Sequence, residues 1–200
     1  MNQTILAVDG GATKTAMTIR TVDGQTLFSA TSTGSNYQAI GRERVQQVFE
    51  QLFIQASEVI TERTITVAVF AIAGIDTEED ARIVHEITEA SITNSPFTIE
   101  KLIVENDVEA TLLGIANGQP TTLLISGTGA ICFSFNGNKT VRAGGWGHRV
   151  GDEGSGYWIG QQVAKAIFRA ADGRDEPTIL TDLVLKGNHI ANVDTLMNWL

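Results

Sequence analysis

Two glycine–threonine turns, one in each half of the chain, have the composition of phosphate-binding turns. Gly10-Gly11-Ala12-Thr13 follows the apolar run Ile5–Val8, and Gly127-Thr128-Gly129 follows the apolar run Leu123–Ile125. Glycine lets a ligand approach the main chain, and such a turn presents N–H groups and a hydroxyl to an anion. A single Gly-x-Gly turn more often only joins two strands. Two turns of the same build predict two lobes that face each other across a phosphate.

Other nucleotide-binding motifs do not fit these turns. A Walker A loop has glycine directly before lysine and continues into a helix, whereas Thr13 precedes Lys14 here and a strand pattern follows. The second turn lacks the third glycine of a dinucleotide fingerprint, because Cys132 occupies that position. The three histidines are scattered without metal-ligand spacing.

Two charged residues at the first turn, Asp9 and Lys14, each allow two interpretations. Asp9 ends an apolar strand just before two glycines, so it is either an ordinary turn aspartate or a carboxylate that holds Mg²⁺ through water beside a phosphate chain. Lys14 either adds positive charge to the turn or is a solvated strand residue. The sequence leaves both pairs of alternatives open.

Asp107 follows another apolar strand and precedes a helical pattern. Aspartate is a favoured helix cap, and Asn106-Asp107 are expected to cap this helix. Capping would fix the side chain without excluding catalysis, and N–H groups at a helix N-terminus favour the ionised carboxylate. Asp107 is therefore a candidate general base, with Glu105 as its nearest rival.

A glycine-rich loop in the second half surrounds one aromatic side chain. Trp146 stands between Gly145 and Gly147, which is unusual for a core residue and typical of a platform for the apolar face of a sugar. Asp152, in the following Gly-Asp-Glu-Gly stretch, and Asn36, in an earlier Gly-Ser-Asn loop, are either polar ligands of such a sugar or ordinary loop residues.

Composition narrows the class of protein. The 200 residues are 42% hydrophobic, enough for a large core, and the net charge of −9 argues against nucleic acid or an anionic membrane as the main partner. The single cysteine, Cys132, rules out a disulfide within the chain. The sequence has neither a signal-peptide pattern nor an apolar run that could span a bilayer, which predicts a cytoplasmic protein.

The elements that must position these residues form two series. Three strands, a helix, a strand, a helix, a strand and a short helix are expected in residues 1–117, and Asn117–Pro120 has the composition of a boundary. Residues 118–200 repeat the opening order of strand, glycine turn and strand, and then continue with helices.

Together these residues resemble the N-acetylglucosamine kinase group of the BadF/BadG/BcrA/BcrD ATPase family, within the superfamily of actin-like ATPases, sugar kinases and Hsp70. The matching stretches are Asp9–Thr15, Ser35-Asn36, Glu105–Asp107, Ile125–Gly129, Gly144–His148 and Gly151–Ser155. The resemblance implies an α/β fold with two ribonuclease-H-like lobes, each a mixed sheet with helices on both faces, and with ATP and a sugar in the cleft between them.

The resemblance also implies roles for individual residues. ATP phosphates would be bound by Gly10, Gly11, Thr13, Lys14, Gly127, Thr128 and Gly129, and Mg²⁺ would be held by Asp9 through water. The sugar would be held by Asn36, Asp107, Gly145, Trp146, Gly147 and Asp152, with Asp107 as the catalytic base. The implied reaction is ATP-dependent phosphorylation of an amino sugar, with the 6-hydroxyl of N-acetylglucosamine as the first choice of acceptor.

Several alternatives accompany this expectation. Glucosamine or N-acetylmuramic acid could be the acceptor, or the chain could be an ATPase that activates a partner enzyme. That activator branch uses cysteines for a cluster, and Cys132 alone speaks against it. Family members continue past this length, so the second lobe is expected to be incomplete, and a non-catalytic sugar- or nucleotide-binding module is a further alternative. Uncovered strand edges would favour a homodimer.

Overall fold

A computed structural model describes residues 3–200. The chain divides into two compact units, the first ending at Thr121 and the second running from Thr122 to Leu200. The boundary expected from the sequence, after residue 117, lies four residues before this division. Each unit is described by itself below.

The first unit contains a five-stranded mixed sheet with the order β3-β2-β1-β4-β5. Strands β1, β2 and β3 form an antiparallel meander, and β4 runs parallel to both β1 and β5. This order and these directions are those of a ribonuclease-H-like lobe, which confirms the expected fold class. The strands span Thr4–Gly10, Lys14–Thr21, Thr26–Thr33, Thr64–Ile72 and Thr98–Asn106.

Four helices connect and cover this sheet. They are α1 (Tyr37–Ile40), α2 (Arg42–Val59), α3 (Glu78–Thr93) and α4 (Asp107–Ala116). The sequence predicts α2, α3 and α4 but only a loop where α1 lies. Gly41, with φ of +83°, separates α1 from α2, because this backbone angle is open to glycine and interrupts a continuous helix.

The core of the first unit lies between one face of the sheet and helices α2 and α3. Alternate residues of β1, including Leu6 and Val8, point to this face, as the period-2 pattern of a strand requires. Phe70 of β4 contacts Phe49 and Phe53 of α2 at ring-centroid distances of 5.3 and 6.4 Å. Helix α4 lies against β4 and β5, and its buried residues are outside this cluster.

The second unit contains a three-stranded sheet and three helices. Its strands are β6 (Thr121–Ser126), β7 (Ala130–Phe135) and β8 (Thr140–Gly144), in that spatial order. Helices α5 (Gly156–Ala171), α6 (Ile179–Gly187) and α7 (Val193–Trp199) follow and bury a small cluster around Ile167, Ile190 and Leu196. None of the helices in residues 3–200 is long and apolar enough to cross a bilayer.

The sequence Thr77-Glu78-Glu79-Asp80 resembles a capping box with aspartate in place of the usual glutamate, and the start of α3 has this capping box. Thr77 Oγ1 accepts a hydrogen bond from Asp80 N (3.2 Å), and Asp80 Oδ2 accepts one from Thr77 N (2.8 Å). Asp80 is buried, which raises the pKa of its carboxyl group. Hydrogen bonds from Tyr37, Thr77 and Gln38 outweigh this effect and lower the pKa from 3.8 to about 2.

This lowered pKa predicts a pH-dependent contribution to stability. A group whose pKa is lower in the folded state stabilises the fold above its unfolded pKa, and this stabilisation is lost as pH falls from 3.8 towards 2. We expect Asp80→Asn to reduce the free energy of unfolding by roughly 2 kcal/mol at neutral pH, and by about half as much near pH 3. Urea unfolding followed by far-UV circular dichroism at both pH values measures the difference.

Asp23→Asn is the matched control, because Asp23 also accepts a hydrogen bond from a threonine hydroxyl, but in the exposed β2–β3 turn. A stability difference between wild type and Asp80→Asn that stays constant over this pH range would show that the Asp80 charge does not stabilise the fold.

Candidate functional site

Three parallel strands of the first unit end level with one another. Gly10 at the end of β1 pairs with Ile72 at the end of β4, and Ile72 pairs with Asn106 at the end of β5. The segments after these strands therefore leave the sheet side by side at its carboxyl edge. Ligands of open α/β sheets collect at such an edge.

The first glycine turn is held against the segment that follows β3. Gly11 N donates to Lys14 O (2.9 Å), and Ser35 N donates to Gly11 O (3.0 Å). A methyl group on Gly10 would overlap the Ser35 hydroxyl and the end of the Ile72 side chain, so glycine at this position gives both side chains room. Thr13 and Lys14 are exposed at the tip of the turn, where a ligand can reach both side chains.

Asn36 is the N-cap residue of α1 rather than a residue of an open loop. Its Oδ1 atom accepts a hydrogen bond from Gln38 N at 2.9 Å. The amide group lies flat on Gly74, which follows β4 and has φ of +88°. A methyl group at Gly74 would lie 2.9 Å from both Oδ1 and Nδ2 of Asn36. The backbone at Gly74 therefore fixes where the Asn36 side chain lies.

Asn106, not Asp107, caps helix α4. Asn106 Oδ1 accepts hydrogen bonds from Val108 N (2.9 Å) and Glu109 N (3.2 Å), and its Nδ2 donates to Ile75 O (3.1 Å). The expectation of a shared Asn106-Asp107 cap is thus wrong in part, because the amide side chain alone reaches both N–H groups. Asp107 is the first residue of the helix and is not needed as its cap.

The environment of Asp107 raises the pKa of its carboxyl group. Partial burial is the main cause, and the nearby carboxylates of Asp9 and Asp76 add to it. A hydrogen bond from Val108 N (3.0 Å) acts in the opposite direction but does not offset them. The expected stabilisation of the ionised form by the helix N-terminus is therefore outweighed by burial and by like charges.

No three His, Cys, Asp or Glu residues within residues 3–200 are grouped closely enough to form a protein-only metal site. The exposed Asp9 carboxylate lies on the strand just before the glycine turn. A single carboxylate together with phosphate oxygens and water is a donor set that suits Mg²⁺.

The second glycine turn is joined to the start of helix α5. Gly127 N donates to Gly129 O (2.9 Å), which closes the turn, and Gly156 N donates to Gly127 O (2.7 Å). Thr128 is exposed at the tip, as Thr13 is in the first unit. Each unit thus presents a threonine hydroxyl on a short, hydrogen-bonded turn.

Trp146 is presented by glycines and held by an arginine. Gly144, Gly145 and Gly147 all have φ between +73° and +83°, which requires glycine in most contexts. The Trp146 side chain is 64% exposed, and the Arg142 guanidinium lies over its ring at 4.8 Å. Arg142 also donates to the carbonyl oxygens of Gly144 (3.1 Å) and Gly145 (2.5 Å). One ring face is therefore covered by a cation–π contact.

Asp152 links this loop to the second glycine turn. Its backbone is left-handed, with φ of +60°, and its Oδ1 atom accepts a hydrogen bond from Gly147 N (3.2 Å). A methyl group on Gly129 would lie 3.0 Å from Asp152 Oδ2. The structure thus brings together Gly127–Gly129, Gly145–Gly147 and Asp152 in the second unit.

A separate, largely apolar cavity of about 670 Å³ lies among α5, α6 and α7. Tyr157, Val163, Leu196 and Trp199 are among the residues that line it. None of the site residues predicted from the sequence lines this cavity.

Sequence reasoning missed two residues that organise the site, Gly74 and Arg142, and it named Asn106 as a cap only together with Asp107. Gly74 follows an apolar strand in the same way as Gly10 does, so this signal could have identified it. Asn is as good an N-cap as Asp, and sequence alone does not say which of the two adjacent residues caps. Nothing in the spacing of Arg142 relates it to Trp146.

Comparison with known proteins shows which family has a sequence like that of this chain. The model of the BadF/BadG/BcrA/BcrD ATPase family matches residues 6–193. An N-acetylmuramic acid/N-acetylglucosamine kinase of Clostridium acetobutylicum is 33% identical over 98% of the chain, and an N-acetyl-D-glucosamine kinase of Dictyostelium discoideum is 28% identical over 97%. The chain spans 63% of the length of each of these two relatives.

A solved structure has the same fold. A Chromobacterium violaceum protein, provisionally named an N-acetylglucosamine kinase, superposes with a TM-score of 0.69 at 27% identity. The match covers 99% of this chain and 68% of that one.

The contact between Gly74 and Asn36 gives a prediction for sugar binding. Gly74→Ala must displace the Asn36 amide from its position, because the added methyl group would overlap it. With N-acetylglucosamine, the sugar in the names of the relatives, as the probe, a sugar-binding role of Asn36 predicts that affinity falls by about tenfold or more. Isothermal titration calorimetry with the sugar measures the change.

Gly24→Ala is the matched control, because Gly24 has a similar φ of +94° but no atom within 4 Å of the added methyl group. Both substitutions strain the backbone, and only one of them touches Asn36. Equal sugar affinity in the two variants would mean that the Asn36 position does not matter for the sugar.

Proposed function

We propose that this chain, which belongs to the BadF/BadG/BcrA/BcrD ATPase family, carries the phosphate turns, sugar-binding residues and base of an ATP-dependent amino-sugar kinase. The observation that carries the proposal is the half-buried Asp107 carboxylate, which directly follows the N-cap residue Asn106 at the level ends of β1, β4 and β5. Asn36 and the first glycine turn leave the same edge of the first unit.

N-acetylglucosamine is the preferred acceptor, since the two relatives that match nearly the whole chain and the Chromobacterium violaceum structure carry that sugar in their names. N-acetylmuramic acid is the second candidate, because the name of the Clostridium acetobutylicum relative includes it. Coupled ATP-turnover assays with each sugar separate these acceptors. Turnover without any sugar would instead favour an ATPase that acts on a partner enzyme, and sugar binding without turnover would favour a non-catalytic module.

Each of the two glycine turns would bind phosphate groups of ATP within its own unit. In the first unit, Gly10 and Gly11 allow close approach to the main chain, Thr13 offers a hydroxyl and Lys14 offers a positive charge. Gly127, Thr128 and Gly129 would do the same in the second unit. Mg²⁺ would neutralise phosphate charge, held through water by the exposed Asp9 carboxylate, which suits a cation that keeps most of its water shell.

Asp107 would accept the proton of the 6-hydroxyl as the sugar oxygen attacks the γ-phosphorus of ATP and ADP leaves. Phosphoryl transfer depends mostly on positioning and charge neutralisation, and the base receives only the acceptor's proton. The raised pKa of Asp107 makes its ionised form a stronger base than an ordinary exposed carboxylate. Glu105 is the nearest rival for the role of base. Burial raises the pKa of its carboxyl group, and the negative charge of Glu109 adds to this effect.

In the second unit, a sugar would lie with its apolar face on Trp146 and its polar groups on Asp152 and the backbone of Gly145 and Gly147. In the first unit, Asn36 and Asp107 are the candidate sugar ligands. Arg142 covers one face of the indole ring, which leaves the other face for the sugar. Asp152 holds Gly147 by a hydrogen bond, so the polar ligand and the aromatic platform belong to one braced loop.

The remaining proposals concern setting and assembly. A kinase of this kind would act in the cytoplasm, where ATP is available, on small-molecule substrates rather than on nucleic acid or a membrane. A homodimer is the expected oligomer, and sedimentation or light scattering measures it.

The proposed role of Asp107 as the base predicts a loss of turnover when its carboxylate is removed. Asp107→Asn preserves the shape of the side chain and removes the base, so kcat should fall by roughly 10²–10⁴-fold while the sugar still binds. The assay uses the full product of the gene, because the relatives are longer than the matched segment. Glu105→Gln is the control and should keep kcat within about threefold of wild type.

The pH dependence of kcat gives a second test of Asp107 as the base. Asp76→Asn removes a like charge that helps to raise the pKa of Asp107, so the acid limb of the pH profile of kcat should move to lower pH.

The turnover of Asp107→Asn itself decides whether Asp107 is the base. If this variant kept more than about a tenth of wild-type kcat, Asp107 would be excluded as the base.

The role of Trp146 gives a separate prediction. We expect Trp146→Ala to weaken sugar binding by roughly ten- to a hundredfold, because the stacking surface is lost, and to leave nucleotide binding nearly unchanged. Calorimetry with sugar and nucleotide in turn measures both. Trp199→Ala is the control, since Trp199 is similarly exposed (56%) but belongs to α7. Equal losses for the two ligands would make Trp146 a structural residue.

A further inference from the structure

The Asp80 carboxylate divides its hydrogen bonds between two parts of the first unit. Its Oδ2 atom accepts from Asp76 N (3.2 Å) and from Thr77 N and Oγ1 (2.8 and 2.7 Å), all within the turn that starts α3. Its Oδ1 atom accepts from the Tyr37 hydroxyl and from Gln38 Nε2 (3.2 Å). The capping box uses only Oδ2, so the hydrogen bonds of Oδ1 serve a different purpose.

The donors to Oδ1 belong to α1 and directly follow Asn36 in the chain. Gln38 Nε2 also donates to Gly74 O (3.2 Å), and Gly74 is the residue on which the Asn36 amide lies. Asn106, which precedes Asp107, donates from Nδ2 to Ile75 O (3.1 Å). The loop between β4 and α3 therefore touches both the Asn36 segment and the end of β5.

We infer that Asp80 is a positioning residue for sugar binding: through Tyr37 and Gln38 it ties α1 to the β4–α3 loop and so fixes Asn36. This inference rests on the proposed role of Asn36 as a sugar ligand. Asp80 itself is buried beneath these segments and reaches the substrate only through them.

The protonation states of Asp80 and Tyr37 favour a hydrogen bond that persists at neutral pH. Asp80 is ionised at neutral pH, since its pKa lies at about 2, and an ionised acceptor makes a stronger hydrogen bond than a neutral one. The hydrogen bond to Asp80 raises the pKa of Tyr37, so its hydroxyl keeps its proton and remains a donor. The tie between Tyr37 and Asp80 therefore does not change over the physiological pH range.

Tyr37→Phe tests this inference, because it removes the hydroxyl and leaves the capping box of α3 untouched. We expect the affinity for N-acetylglucosamine to fall about tenfold, the usual size of a lost hydrogen bond to a charged group. We also expect faster hydrogen exchange, by about the same factor, at Ala39 and Ile40, whose N–H groups donate to Asn36 O. Exchange at Ala81, bonded to Thr77 O, should not change.

Two further variants separate positioning from general destabilisation. Tyr157→Phe makes the same chemical change at the other tyrosine, in the second unit, and should leave exchange in α1 unaltered. If Tyr37 acts through Asp80, Tyr37→Phe should have little further effect on sugar affinity in an Asp80→Ala background, since coupled residues are not additive.

Each outcome of these measurements decides a specific point. Unchanged exchange in α1 on Tyr37→Phe would overturn the tie itself. Faster exchange with unchanged sugar affinity would overturn the positioning role. A wild-type protein that binds no amino sugar would overturn the proposed function, whereas the exchange data would still decide whether Asp80 holds α1.

Discussion

The level ending of β1, β4 and β5 is the constraint on which the candidate site of the first unit depends. Parallel pairing of Gly10 with Ile72 and of Ile72 with Asn106 brings three chain segments out of the sheet at one edge. These segments carry the glycine turn, Gly74 and Asp107. Their residues are distant in the sequence, so only the strand register can make them neighbours.

The residues proposed to touch ligands are held by others that do not. Gly74 provides the surface for Asn36, Asn106 caps α4 in place of Asp107, and Arg142 braces the loop of Trp146. Without such contacts, exposed side chains on glycine-rich turns would sample many rotamers. Each side chain that must be ordered when a ligand binds lowers the affinity. Supporting contacts of this kind reduce this loss of affinity, because they order the side chains before a ligand binds.

Much of the fold could be predicted from the sequence, because its signals are local. A short apolar run indicated β1, apolar residues at helical spacing indicated α2, and Thr77 with Asp80 indicated the start of α3. The short helix α1 was missed because four residues carry too little periodicity to register. The contacts of Gly74 with Asn36 and of Arg142 with Trp146 were out of reach, since they depend on how separate segments meet and not on spacing.

Asp80 and Asp107 show how the surroundings assign different tasks to one residue type. Both lie in the first turn of a helix and both are shielded from water, which raises the pKa of a carboxyl group. Asp80 accepts five hydrogen bonds, and these lower its pKa below the ordinary value. Asp107 faces the carboxylates of Asp9 and Asp76 instead, and its pKa is raised. A carboxylate whose oxygens are saturated by donors is a poor proton acceptor and a good anchor. Asn106 is the N-cap residue of α4, and partial burial together with like charges gives Asp107 the basicity that a proton acceptor needs.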